Sequence, residues 1–166
     1  MELNAKNLEK LMNEQEEGDI KYINTKDSLN VNQLLNALEN ESNASIMKLT
    51  TKEIQKQKND ILQHLQIERK LLKSLNKKLK QYRYCTDLSD LQYGYFIRWI
   101  PLKNPDNIYL TNGATIIEIK YVNNSLQILC KNFKNRFFQI KFDEVIVFQK
   151  LSNQEKVILN VLNYLE

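Results

Sequence analysis

The chain has little glycine, histidine and cysteine, and each shortage excludes a class of protein. Three glycines spread over 166 residues are too few for a phosphate-binding loop, which needs several glycines within a few positions. One histidine, His64, and two cysteines, Cys85 and Cys130, are too few for an ordinary zinc site or a histidine-based catalytic network. Because the cysteines lack a Cys-x-x-Cys spacing, we expect both thiols to be reduced.

Long apolar runs are also missing. The longest run covers only a few residues, and the first residues lack the basic start and apolar stretch of a signal peptide. We therefore expect no membrane span, and a soluble protein that is made in a cytosolic compartment and located in the cytoplasm or nucleus.

Carboxylates that could serve acid–base catalysis are few. Asp87 and Asp90 form one group, and Asp143 with Glu144 forms another, so catalysis would need them to converge in a cleft. The first group is better suited to shaping a turn, because short polar side chains bond their own backbone. We predict that the protein is not an enzyme and has no catalytic residue, metal site, cofactor or small-molecule substrate.

Asparagine and lysine are abundant, and charge is unevenly distributed. The Asn/Lys bias is typical of an AT-rich genome, so a lysine-rich surface alone is weak evidence for nucleic acid. The formal net charge of +4 divides into −4 for residues 1–49, +7 for residues 50–86 and +1 for residues 87–166. An electrostatic partner is therefore expected at the middle segment.

Hydrophobic spacing predicts three regions and an α+β fold. Residues 1–49 predict short acidic helices that are partly mobile unless they dock. Residues 50–84 predict one long basic helix, and residues 85–166 predict a small antiparallel β-barrel or rolled sheet closed by a C-terminal helix. The short N-terminal helices rest on two apolar stripes, which are Leu8, Leu11 and Met12, and Leu34, Leu35 and Leu38.

The long helix rests on a capping box and a heptad pattern. Thr50 and Glu53 have the spacing of a capping box, and no glycine or proline follows before Gly94. Apolar residues then recur at spacings of four and three, interrupted by Lys58 and Glu68. A helix of roughly thirty residues is on the order of 45 Å long, and we expect its seam to contact a protein partner or a second copy. The seam consists of Ile54, Ile61, Leu65, Leu72, Leu75, Leu79 and Tyr82.

A basic stripe lies on the outer side of this predicted helix. The run from Arg69 to Arg83 contains no acidic residue, so it carries a field of one sign. It is either a solvated outer face, a contact for an acidic protein or for the acidic first third of the chain, or a contact for nucleic acid. The candidate polyanion contacts are Arg69, Lys70, Lys73, Lys77, Lys80 and Arg83.

The last 80 residues alternate with a period of two, which predicts strands. Asn112-Gly113 is a strong two-residue hairpin signal, Asn123-Asn124 is a weaker one, and Asn132 to Asn135 marks a third reversal. A second capping box, starting at Ser152, predicts the C-terminal helix. The predicted strands are 94–102, 107–111, 115–122, 126–132, 136–142 and 145–149.

Aromatic residues are concentrated in this same half of the chain. Small barrels use such residues as stacking platforms for single strands, as cages for cationic side chains or simply as core, and we expect about seven of the ten to be core. Arg98 lies among them, and we expect it either to be buried beside a carboxylate such as Asp90 or Asp143 or, as the alternative, to form an exposed cationic contact. The ten are Tyr93, Tyr95, Phe96, Trp99, Tyr109, Tyr121, Phe133, Phe137, Phe138 and Phe142.

The segment Leu88–Ile100, which reads LSDLQYGYFIRWI, resembles the opening of small β-barrel proteins from large nucleocytoplasmic DNA viruses. The segment Phe148–Glu155 fits the same likeness. The resemblance implies a location and a role in a virion, or a role in a DNA-packaging or expression assembly. The opening is also similar to that of Tudor-like barrels, in which Gly94 would allow the sharp turn into the first strand.

These observations predict a non-enzymatic protein-binding and assembly protein, a structural or minor component of a large DNA-virus particle, that uses the helical seam for protein contacts. The alternative is a nucleic-acid-binding module that uses the basic helix and the barrel aromatics.

Overall fold

The computed structural model describes residues 31–165, which form four α-helices, four short 3₁₀ helices and one six-stranded antiparallel sheet. The helix expected at Leu8, Leu11 and Met12 lies outside the described residues. The α-helices are α1 (Val31–Glu39), α2 (Thr51–His64), α3 (Arg69–Lys78) and α4 (Asn153–Leu165). The strands are β1 (Tyr82–Cys85), β2 (Phe96–Pro101), β3 (Ala114–Val122), β4 (Ser125–Lys131), β5 (Phe137–Lys141) and β6 (Val145–Lys150). The 3₁₀ helices are Glu41–Asn43, Ile46–Lys48, Leu88–Asp90 and Phe142–Glu144.

The described residues divide into two compact units. One unit comprises residues 31–51 and 153–165, and the other comprises residues 52–152. This division differs from the predicted one, because the basic helical segment belongs with the sheet and the C-terminal helix belongs with the segment before residue 52.

The first unit is held by the packing of α1 against α4 and by asparagine and glutamine side chains. Asn43 is fully buried, and its Nδ2 donates to the carbonyl of Ala37 at 2.7 Å and to Gln154 Oε1 at 3.1 Å. Asn40 Nδ2 donates to the same glutamine oxygen at 2.8 Å. One side chain in the first turn of α4 therefore ties down the segment that follows α1.

The second unit contains the sheet, whose strand order is β1-β6-β2-β3-β4-β5. β1 and β5 are its two edges and do not pair with each other, so the sheet is open and the predicted closed barrel is wrong. The misprediction has a simple cause. Inward and outward positions alternate identically in an open curved sheet and in a barrel, so the sequence pattern does not report closure.

Each face of the sheet carries its own core cluster. Alternation along β2 places Ile97 and Trp99 in one cluster and Ile100 in the other. α2 and α3 cover the second face through Leu62 and Leu75, which are at most 2% exposed. The cluster on the first face is Cys85, Leu91, Ile97, Trp99, Ala114, Ile116, Leu126, Ile128, Cys130, Ile140 and Val147. The cluster under the helices is Leu62, Leu75, Leu79, Tyr82, Ile100, Ile146 and Phe148.

The single long helix predicted over residues 50–84 is also wrong. The helix begins as predicted, at Thr51, but it ends at His64, where the backbone closes with short-range bonds and Gln66 adopts a positive φ of 50°. A straight helix would hold Leu62 and Leu79 about 25 Å apart, whereas both side chains lie in the same core cluster. The chain therefore has to fold back. A position with this left-handed backbone conformation is usually glycine. Because it is glutamine here, the sequence carries no sign that the helix ends at this point.

Of two asparagine turns predicted in the sheet, the one with the weaker sequence signal forms a hairpin and the one with the stronger signal does not. Asn123 and Asn124 have φ values of 51° and 61°, as a type I′ hairpin requires, and they join β3 directly to β4. Asn112-Gly113 does not form the expected hairpin, and the strand predicted at 107–111 is absent. Gly113 still needs its positive φ of 93°, because a Cβ there would overlap with the carbonyl oxygen of Ile97.

Candidate functional site

The predicted protein-contact seam does not form one continuous surface. It is divided between α2, α3 and β1, and Leu75, Leu79 and Tyr82 belong to the core cluster under the helices. Ile61, Leu65 and Leu72 are partly buried and pack against that cluster, while Ile54 is 4% exposed. Most of the seam therefore serves the folding of the second unit.

Lys58, a polar interruption of the seam, has a structural role. Its side chain is 1% exposed, and Nζ donates to the carbonyl of Leu79 at 2.8 Å, just after the last turn of α3. A helix C-terminus leaves carbonyl groups without partners, so the buried amine caps α3. Burial lowers the pKa of Lys58, because desolvation disfavours the charged form.

The basic stripe is exposed along α3 and the segment after it. Of the six predicted contacts, five are exposed, and Lys78 joins them. None of these six cations lies within 4 Å of a carboxylate in the part of the chain that the structure describes. We call them the α3 surface, which is Arg69, Lys70, Lys73, Lys77, Lys78 and Lys80.

Arg83 is not part of that surface. Its side chain is 3% exposed, and its guanidinium donates to Asp90 Oδ1 at 3.3 Å and to the Asp90 carbonyl at 2.9 Å. Gln149, which is fully buried on β6, donates to the same carbonyl at 3.1 Å and accepts from the backbone of Gln92 at 2.9 Å. Sequence reasoning missed this because Arg83 lies on a strand, where alternation directs its side chain to the inner face.

Asp87 and Asp90 shape the turn after β1, as the sequence predicts. Asp87 caps the 3₁₀ helix Leu88–Asp90, and its hydrogen bonds from the hydroxyl and backbone of Ser89 lower the pKa of its carboxyl. Asp90 Oδ2 accepts from the backbone and hydroxyl of Thr86 at 2.8 and 3.0 Å. Arg98, for which we expected a carboxylate partner, instead donates from Nε to the carbonyl of Thr111 at 2.8 Å.

The remaining carboxylates are divided between a cavity and surface ion pairs. Asp87 and Asp143 both line a shallow cavity of about 240 Å³, together with Tyr121 and Phe142. Glu144 instead pairs with two exposed lysines at 3.3 Å. The four carboxylates therefore do not converge in one cleft.

Both cysteines are buried free thiols, and the one histidine is exposed. Burial raises the pKa of Cys130 to about 12, so its thiol is protonated at neutral pH. His64 is exposed at the end of α2, where Nδ1 lies 2.9 Å from the carbonyl of Asp60. Among residues 31–165 there is no group of three histidine, cysteine or acidic side chains that could hold a metal ion.

Six of the ten aromatic residues are exposed, which is more than expected. Trp99 is 8% exposed, while Tyr95, Phe96 and Phe142 are half-buried. The exposed six are Tyr93, Tyr109, Tyr121, Phe133, Phe137 and Phe138. Three of them, Phe133, Phe137 and Phe138, lie within six residues of one another, at the turn between β4 and β5 and at the start of β5.

This turn combines aromatic and cationic side chains. Phe133 at its tip is 85% exposed, and Phe137 at the start of β5 is 61% exposed. Lys134 Nζ lies 5.7 Å from the ring centroid of Phe133, and Lys131 Nζ lies 5.7 Å from that of Phe137. We call this the hairpin surface, which is Lys131, Phe133, Lys134, Arg136 and Phe137. Sequence reasoning did not single it out, although residues 131–138 read KNFKNRFF and interleave the two residue types.

Comparison with protein-family models, with curated proteins and with solved structures finds no match to this chain. In the described part of the chain, no helix is both long and apolar enough to cross a membrane.

Proposed function

We propose that the protein is a non-enzymatic nucleic-acid-binding protein whose α3 surface contacts phosphates. The observation that carries the proposal is a group of positive charges without neighbouring negative ones. Six exposed cations within twelve residues have no carboxylate within ion-pair distance among the described residues. Three exposed lysines elsewhere in the second unit do have such partners, namely Lys103, Lys120 and Lys141. The α3 surface therefore gathers six such cations along one helix and the two residues that follow it, which favours the binding of a polyanion.

The expected mechanism is release of counterions. Each phosphate that a lysine or arginine neutralises frees condensed counterions, so the logarithm of the association constant falls linearly with the logarithm of the salt concentration. The slope is about 0.9 per contact for duplex DNA and about 0.7 for single strands. Contacts of this kind are independent of sequence, so we expect broad rather than base-specific recognition through α3.

Protein assembly through the helical seam remains a prediction, with less support than before. A partner would need the apolar side chains that pack in the second unit's own core. A place in a large viral particle likewise remains a prediction that rests on the resemblance alone.

The test is fluorescence anisotropy with labelled 20-nucleotide single-stranded and duplex DNA between 50 and 200 mM salt. The triple variant Lys73→Gln, Lys77→Gln, Lys80→Gln should bind about tenfold more weakly or worse at low salt, and its salt slope should fall by about two to three units. The matched control is the triple variant Lys103→Gln, Lys120→Gln, Lys141→Gln. It removes the same charge at cations that already have carboxylate partners.

Two results would refute the proposal. One is that the unmodified protein binds neither DNA at 50 mM salt. The other is that the control variant loses as much affinity as the α3 variant, because the effect would then follow from net charge and not from this surface.

A further inference from the structure

The hairpin between β4 and β5 holds two phenylalanine side chains in water. Phe133 and Phe137 are 85% and 61% exposed, and fully burying a phenylalanine is ordinarily favourable by about 1.5–3 kcal/mol. Neighbouring Phe138 shows the contrast. Phe138 is less exposed, at 39%, and its ring lies 6.0 Å from that of Trp99 in an edge-on arrangement on the inner face.

The exposed rings are presented on a defined turn. The Asn132 side chain accepts hydrogen bonds from the backbone of Lys134 and of Arg136, both at 2.9 Å. The Asn132 backbone also pairs with the Arg136 carbonyl at 3.0 Å, and Asn135 takes the left-handed conformation with a φ of 58°. Phe133 is therefore held at the tip by the turn's own hydrogen bonds, and not by packing of its ring.

Alternation along β5 separates the two kinds of phenylalanine. Lys131 faces Phe137 across the strand pair, whereas Cys130 faces Phe138. Because Cys130 is fully buried, Phe137 and Lys131 lie on the opposite, outer face. The outer face thus pairs an exposed ring with a cation.

The charge around these rings has one sign. Residues 131–141 contain Lys131, Lys134, Arg136 and Lys141, and no acidic residue. Of these four, only Lys141 has a carboxylate partner among the described residues, which is Glu144. The hairpin surface therefore attracts an anionic ligand that also offers flat apolar faces.

We infer that the hairpin surface binds single-stranded nucleic acid, with bases stacked on Phe133 and Phe137 and phosphates beside Lys131, Lys134 and Arg136. The inference deepens the proposed function and depends on it. Every base has a flat face, and stacking on an aromatic side chain is tolerant of sequence. In a duplex those faces are already stacked on their neighbours, so the rings select the single strand.

The experiment measures the affinity of single-stranded and duplex 20-mers by anisotropy for Phe133→Ala and Phe137→Ala. Each variant should bind the single strand about fivefold more weakly or worse, since stacking contributes that much per base. Affinity for the duplex and the salt slope should both stay unchanged, because no cation is removed. Tyr109→Ala is the matched control, since it removes an exposed aromatic ring from the loop between β2 and β3.

Two further variants separate stacking from other contacts. Phe133→Trp should retain single-strand affinity, whereas Phe133→Leu, which keeps apolar surface without a ring, should lose it. The triple variant Lys131→Gln, Lys134→Gln, Arg136→Gln should lower the salt slope for the single strand by about two units. Lys131 is half-buried and the other substituted side chains are exposed. The urea midpoint of each variant should therefore stay close to that of the unmodified protein, and measuring it checks that the variant folds.

Failure of this inference is distinguishable from failure of the proposed function. If the α3 variant loses binding while both alanine variants bind normally, the stacking site is wrong and the phosphate-binding surface stands. If Phe133→Leu retains single-strand affinity as well as Phe133→Trp does, the contact is a general apolar one and stacking is refuted. If the unmodified protein binds no nucleic acid at low salt, both proposals fail.

Discussion

The buried pair of Arg83 and Asp90 makes a quantitative prediction about stability. The substitution Asp90→Asn keeps the shape of the side chain but removes the charge that faces a guanidinium only 3% exposed. It also replaces one acceptor oxygen by an NH₂ donor. In either orientation that donor would face another donor, either the Arg83 guanidinium or the Thr86 backbone amide.

The expected loss is about 3 kcal/mol of unfolding free energy. Removing one partner of a buried ion pair costs about 3–5 kcal/mol, because the other charge stays buried without compensation. We take the lower end because Asp90 is 17% exposed and Arg83 keeps its bond to the Asp90 carbonyl at 2.9 Å. With a urea m-value of about 1.5 kcal/mol per molar, the midpoint should fall by about 2 M.

The assay is urea unfolding followed by the fluorescence of Trp99, the only tryptophan in the chain. The control is Glu144→Gln, which removes an exposed carboxylate paired with Lys103 and Lys141 and should leave the midpoint unchanged. The double variant Arg83→Met, Asp90→Asn should be more stable than Asp90→Asn alone. The reasoning is refuted if the midpoint of Asp90→Asn moves no further than that of the control.

Two further predictions concern Lys58 and Gly113. Because burial lowers the pKa of Lys58 in the folded state, the unfolded chain binds more protons than the folded one between that pKa and 10.5. The stability of the unmodified protein relative to Lys58→Met should therefore rise with pH across this window. The prediction is contradicted if the urea midpoints of the two proteins differ by the same amount at every pH from 8 to 10.5. Gly113→Ala should cost more than the roughly 1–3 kcal/mol of a strained φ, because a Cβ there also meets the Ile97 carbonyl. Gly94 has a φ of 79° with open space around it, so Gly94→Ala should lose only the unfolding free energy that the strained φ costs. Equal melting temperatures for the two variants would contradict the prediction, because the steric overlap at Gly113 would then carry no energetic cost.

The strands that the sequence predicted well are those whose signal is local. Five of the six predicted strands lie within two residues of an observed one, because alternation and the asparagine turns operate over a few neighbouring residues. The helix predicted from Leu34, Leu35 and Leu38 is present as α1, and the predicted C-terminal helix is present as α4, which begins at Asn153. β1 was missed because its four residues continue a heptad pattern that a helix fits equally well.

The candidate sites depended more on the tertiary structure. Whether Arg83 faces water or Asp90, and whether Phe133 is core or surface, depends on which elements pack on which face. No spacing along the chain encodes that. The cations of α3 were predictable because a charged helical face turns away from the core whatever that core contains.

The amino-acid sequence by itself determined where most strands and turns form and where charge is concentrated. Only the tertiary structure decided that the heptad segment folds back as two helices and that the sheet stays open. It also decided that the positively charged hairpin between β4 and β5 exposes its phenylalanine rings to solvent. The physical reason is the range of the interactions. Capping, alternation and turn preferences act between near neighbours, whereas burial is settled by contacts between segments far apart in the chain.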